Sequence, residues 1–157
     1  MHLEYFKLID RIVDLRVADR TISVEAEVPR SSTIFEGHFP GRPLMPGVLL
    51  IESMAQTSGW LIIALTRFER MPFLAAVKEA KLRTFVEPGD TLSISAQLTH
   101  EGSGFAMTSA SVARAGKTVC DAEFTFRLME FPNPSFRDSM ERVAVDVGFP
   151  MKVLHDG

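Results

Sequence analysis

From Val48 to about Leu65 the chain carries a run of helical length that is apolar on nearly every side. Pro46 stands just ahead of it, where a first helical turn loses nothing by a missing N–H. A helix of that kind belongs inside a protein, so the rest of the chain must be able to enclose it. The flanking sequence has the material. Ile12–Val17 and Thr21–Val28 are rich in β-branched residues and flank the polar turn Ala18-Asp19-Arg20, which predicts a hairpin. Ile22, Val24, Ala26 and Val28 alternate with Ser23, Glu25 and Glu27, so one face of that hairpin should be buried. After a connection at 67–72, strand signals dominate: Phe73–Val77, Lys81–Val86, Leu92–Leu98, Phe105–Arg114 and Lys117–Leu128. Turns at Pro88-Gly89-Asp90, Glu101-Gly102-Ser103-Gly104 and Ala115-Gly116 separate the later ones. Strands, a buried helix and more antiparallel strands make an α+β pattern, with a sheet wrapped around the helix's whole circumference. Residues 2–10 form a short helix or an irregular lead-in. Residues 29–47, with four prolines and three glycines, read as a loop of fixed path.

A chain of 157 residues suffices for one domain with a substantial core. A net charge of −3 argues against a nucleic-acid binder. The N-terminus lacks the pattern of a secretory signal, which points to a cytoplasmic protein. The longest uninterrupted apolar stretch, Gly59 to Leu65, is too short to span a bilayer. Cys120 is the only cysteine and falls in the alternating run Cys120, Ala122, Phe124, Phe126, Leu128, the position of a core residue. No histidines or carboxylates show metal-ligand spacing, and neither metal nor cofactor is expected. His2, His100 and His155 read as solvent-facing.

Two residues stand out against this background. His38 lies in the Pro/Gly loop directly before the helix, and Glu52 is an ionisable group within it, between Val48–Ile51 and Met54-Ala55. A carboxylate buried without partners must pair or take up a proton, and burial raises its pKa toward the range of a useful proton donor. Gln56, one turn on, can hydrogen-bond it. Free N–H groups at the helix start, from Gly47 onward, can polarise a carbonyl. A base, a proton donor and an oxyanion site together suit an elimination or enolisation. The same residues also admit a plain account, in which His38 is a solvated loop side chain and Glu52 makes a structural hydrogen bond.

The stretch His38-Phe39-Pro40-Gly41-Arg42-Pro43-Leu44-Met45-Pro46-Gly47-Val48-Leu49-Leu50-Ile51-Glu52-Ser53-Met54-Ala55-Gln56 resembles the signature of FabZ-type β-hydroxyacyl-[acyl carrier protein] dehydratases. The resemblance runs from about Phe6 to Arg127 and includes Val86-Glu87-Pro88-Gly89-Asp90 and Gly116-Lys117-Thr118-Val119-Cys120. It implies a hot-dog fold over 1–129. It further implies catalytic roles for His38 and Glu52, and a Gly47 N–H that holds the thioester carbonyl. Phe39, Val48 and Gln56 would be substrate-binding positions. The substrate would be a (3R)-3-hydroxyacyl chain on the phosphopantetheine of acyl carrier protein. The site would be shared between the subunits of a homodimer, and dimers could assemble as a trimer of dimers. A hot-dog thioesterase and a non-catalytic acyl-thioester binding protein are the alternatives. Departures from the family pattern are Ala76-Val77-Lys78, Thr84-Phe85-Val86, and Pro72-Phe73 where a gating tyrosine is expected; they bear on the acyl entrance.

Beyond the resembling core, residues 130–157 are an extension with a helix expected over 133–148. Asn133 suits the N-cap, Pro134 the first turn, and Gly148 the stop. Phe136, Met140, Val143, Ala144 and Val147 make one apolar stripe, which should dock on the enzyme or on a neighbouring subunit.

Overall fold

A computed structural model describes residues 1–154; the expectation for His155 lies outside the described residues. Strands β1 (Arg11–Arg16), β2 (Thr21–Glu27), β3 (Met71–Leu82), β4 (Thr91–Gly102), β5 (Phe105–Arg114) and β6 (Lys117–Met129) form one antiparallel sheet. Its order is β1-β2-β4-β5-β6-β3, so β1 and β3 are the edges. The alternation in β2 is real: Ile22, Val24 and Ala26 are buried, opposite Ala96, Ile94 and Leu92 of β4. Helix α2 (Gly47–Leu65) packs against β2, β3, β4, β5 and β6. A sheet curled about one long helix is the hot-dog fold.

Four sequence expectations need correction. Residues 29–47 are not loop throughout, because α1 (Thr33–Gly37) forms in the stretch without proline. Ser32 caps it, its hydroxyl accepting from the Ile34 N–H at 3.1 Å. The segments Phe73–Val77 and Lys81–Val86 are not two strands. β3 is continuous to Leu82, with irregularities at Leu74/Ala76 and Lys78/Lys81 that absorb the break in pattern. The helix is not enclosed over its whole circumference. Val48 is 71% exposed, and Glu52, Gln56 and Gly59 are half-buried, leaving a stripe at helical spacing that the sheet does not cover. Lastly, α2 is long and apolar enough to cross a bilayer by length and composition; two-thirds of its most apolar window (67%) is buried inside the protein.

The buried polar groups on α2 are satisfied locally. Ser53 and Thr57 donate to the Leu50 and Ser53 carbonyls, each at 2.8 Å, and Thr108 of β5 donates to Ser58 at 2.8 Å. Cys120 is a fully buried core residue; burial, and to a lesser degree Asp121, push its thiol up to about 11 against the pull of Arg83. Such a thiol is unreactive near neutrality.

At the other end of the chain, α3 (Pro134–Asp146) is capped by Asn133, whose Oδ1 accepts from the Phe136 N–H at 2.8 Å. It lies on its own protomer. Ala144, Val147 and Phe149 are buried, and the Ile12 N–H donates to the Val147 carbonyl at 2.8 Å. Phe149 meets Trp60 and Phe68 at ring separations of 5.8 and 5.6 Å.

Candidate active site

Local sequence accounts for how His38 is held. The residue ends α1, its N–H donating to the Ile34 carbonyl at 2.9 Å. Phe39-Pro40-Gly41-Arg42 then reverses the chain, with backbone hydrogen bonds from Phe39 N–H to Arg42 O (3.0 Å) and from Arg42 N–H to Phe39 O (2.9 Å). Gly41 takes φ +74°, the left-handed conformation that such a turn asks of its third residue. The turn brings Leu44 back beside His38: Leu44 N–H donates to His38 O at 2.9 Å, and Leu44 O lies 3.0 Å from His38 Nδ1. A carbonyl oxygen only accepts, so Nδ1 carries a proton, and in the neutral imidazole the lone pair is on Nε2. The fold thus sets His38 in the tautomer of a base. The Phe39 ring stacks on the imidazole at 4.1 Å.

His38 opens onto a cavity of about 460 Å³ with Phe39, Gly47, Leu50 and Leu82, and with Thr84, Phe85 and Val86. Gly47 is the first residue of α2, and its N–H is one of those at the helix start that no intrahelical carbonyl precedes. A Cβ at Gly47 would meet Leu82 Cδ1, the tip of a half-exposed side chain that would have to turn aside, and the glycine leaves the backbone open to the cavity. Val48 points outward and lines neither this cavity nor the next.

Glu52 opens onto a second cavity, of about 420 Å³. Gln56 holds its carboxylate, donating from Nε2 to Oε1 at 3.3 Å. The same amide nitrogen donates to Phe6 O at 2.8 Å, and Gln56 Oε1 accepts from Leu8 N–H at 3.3 Å. These two backbone partners fix which way the amide faces. Gln56 therefore ties the N-terminal segment to the carboxylate. The lining beyond Glu52 is mostly apolar: Ala55, Gly59, Trp60 and Ile63 of α2, Met71, Pro72 and Leu74 of β3, and Phe126 of β6.

Within one protomer, His38, Phe39 and Gly47 share a cavity, and Glu52 and Gln56 share another. The residues read one by one suggested a single centre, whereas the family resemblance expects His38 and Glu52 of one site to come from different subunits; in the single chain they lie on separate cavities. Sequence reasoning missed Trp60, Met140 and Val143 on the second cavity, which only the packing of separate elements reveals. Phe85 on the first, 68% exposed, had a signal in the departure at 84–86. Among the described residues no group of three or more His, Cys, Asp or Glu side chains could hold a metal ion.

Comparison with known proteins identifies the family. The family described as FabA-like domain matches residues 1–123. A 3-hydroxyacyl-[acyl-carrier-protein] dehydratase FabZ from Levilactobacillus brevis is 36% identical over 119 residues, 75% of this chain and 80% of that one. Another from Chloroflexus aggregans is 35% identical over 130 residues, 82% of this chain and 90% of that one. A bifunctional enzyme LpxC/FabZ from Chlorobaculum tepidum is 37% identical over 134 residues, 84% of this chain; the chain spans only 28% of that relative. In three dimensions, a hypothetical thioesterase from Streptococcus pneumoniae bound to coenzyme A superposes with a TM-score of 0.62 at 18% identity, covering 78% of this chain and 88% of its own. That likeness is one of fold.

Proposed function

This chain belongs to the FabA-like domain family, and we propose on that footing that it dehydrates (3R)-3-hydroxyacyl thioesters of acyl carrier protein to trans-2-enoyl thioesters, in fatty acid or specialised lipid synthesis. His38 Nε2 takes the C2 proton, the electron pair forms the C2–C3 double bond, and the C3–O bond breaks. Glu52 gives a proton to the departing hydroxyl, which leaves as water. N–H groups at the start of α2, from Gly47, stabilise the charge gathering on the thioester oxygen, with Phe39 beside the substrate. Gln56 aims the Glu52 carboxyl.

The observation that carries this reading is the His38 tautomer, with Nδ1–H spent on the Leu44 carbonyl and Nε2 left as a base beside the helix start. Because His38 and Glu52 open onto different cavities of one chain, the working site joins His38 of one protomer to Glu52 of another. The smallest active species is then a homodimer, which could assemble further as a trimer of dimers. Edge strand β3, with Phe73, Leu74, Val77 and Leu82 each between 37% and 53% exposed, supports that pairing. A carrier-borne substrate favours a cytoplasmic enzyme.

Incubation with a 3-hydroxyacyl carrier substrate tests the reading: enoyl thioester should accumulate without release of free carrier thiol. Free thiol without enoyl product would make the protein a thioesterase, and neither product would make it a binding protein.

A further inference from the structure

The cavity that starts at Glu52 is closed on one side by a part of the chain that lies beyond the family match. Residues 1–123 carry that match, whereas Met140 and Val143 of α3 line the cavity. We propose that α3 is a wall of the acyl-chain site, and that Met140 and Val143 set the length of aliphatic tail accepted, a role that takes its substrate from the dehydratase reading above.

The path is open where it needs to be. A Cβ built at Gly59 would have its nearest neighbour, Pro72 Cγ, 3.8 Å away, so the missing side chain leaves width between helix and strand. Trp60 of α2 and Met140 and Val143 of α3 complete the lining. The wall is fixed rather than draped. Ala144 is fully buried and Val147 and Phe149 nearly so, Val147 accepts a backbone hydrogen bond from β1, and Phe149 packs on Trp60 and Phe68. A side chain change at Met140 or Val143 therefore alters the cavity rather than moving the helix.

Chemistry narrows the ligand. A volume of about 420 Å³ is in the range of small-molecule sites, ~300–1,000 Å³. Its ionisable side chains are Glu52, at the reacting end, and Tyr5, Lys7 and Asp146, which are all more than half exposed; Lys7 and Asp146 pair at 3.9 Å. A polar group on the tail would be buried against apolar side chains, at a cost that favours a plain hydrocarbon.

The experiment compares kcat/KM for 3-hydroxydodecanoyl and 3-hydroxybutanoyl carrier substrates in Val143→Phe, which narrows the cavity, and Met140→Ala, which widens it. The ratio of long to short should fall at least about tenfold in the first and rise in the second, the scale on which hydrophobic pockets sense a few methylenes. Melting temperatures confirm that each variant is folded. A second measurement needs neither variant nor turnover. Trp60 is the only tryptophan, so dodecanoyl-pantetheine brominated on its last carbon should quench the protein's fluorescence more than the same chain brominated beside the thioester. An unchanged ratio in folded variants, or equal quenching by the two probes, overturns the proposal. If no enoyl product forms on any substrate, the dehydratase reading falls, and the quenching alone decides whether α3 walls an acyl site.

Discussion

The two cavities are built on different principles. The His38 cavity draws on two short stretches, 38–50 and 82–86, and its key residue is oriented by hydrogen bonds to neighbours within six positions. The Glu52 cavity gathers residues from the N-terminal segment, α2, β3, β6 and α3. The first places a reactive group with precision that survives as long as one loop does. The second is a space between elements, and its shape depends on the whole core being packed. His38 thus sits where the backbone is locally determined, whereas Glu52 opens onto a space whose shape depends on distant segments.

The sharpest way to break this contrast is to remove the reacting groups. His38→Ala and Glu52→Gln should each lower dehydration by about 10²–10⁴-fold in a folded protein, since each takes away one of two coupled proton transfers. Mixing the two inactive proteins should restore part of the activity through heterodimers carrying one intact site. Native mass spectrometry that finds mixed dimers, together with a wholly silent assay, would refute the shared site.

A smaller effect separates packing from chemistry. Phe149→Ala should destabilise the protein by about 3–5 kcal/mol, because a ring that is 4% exposed leaves a void against Trp60 and Phe68. Thermal denaturation measures the loss. The same melting temperature as the parent would mean that the Phe149 ring contributes nothing to the core.

The smallest effect tests the N-terminal tie. Glu4 Oε1 accepts from Ser32 Oγ at 2.6 Å and from the Thr33 N–H at 3.0 Å at the start of α1. These bonds, the Ser32 hydroxyl's first, lower its carboxyl from 4.5 to about 2. A carboxyl with a depressed folded pKa stabilises above its unfolded pKa and loses that contribution as pH falls through the folded one. The melting-temperature gap between the parent and Glu4→Gln should therefore be present at neutral pH and shrink between about 4.5 and 2. A gap that does not change with pH would assign the effect to something other than the carboxylate.

Much of this was legible in the amino-acid sequence because the signals are local. The hairpin at 11–27, strands β5 and β6, the Asn133 cap and the His38 loop each follow from neighbours a few residues apart. The short helix α1 was hidden by the prolines around it, although Ser32 and the proline-free stretch after it were there to be read. The break in β3 was misread because a pair of irregularities lets one strand continue through a disturbed pattern.

What the chain could not declare by itself was which face of α2 stays uncovered. Hydrophobicity said that the helix belongs inside, yet a six-stranded sheet covers only part of a cylinder. The stripe through Val48, Glu52 and Gln56 is left over by that geometry; two polar residues mark it in the sequence, but where the sheet stops short of it depends on the packing. The sequence by itself determined the histidine's loop, the glutamate's helix and the alternation of the strands, since each depends on residues close along the chain. Tertiary structure decided that His38 and Glu52 open onto separate cavities and that α3 closes one of them, because those relations depend on how distant segments fill a shared volume.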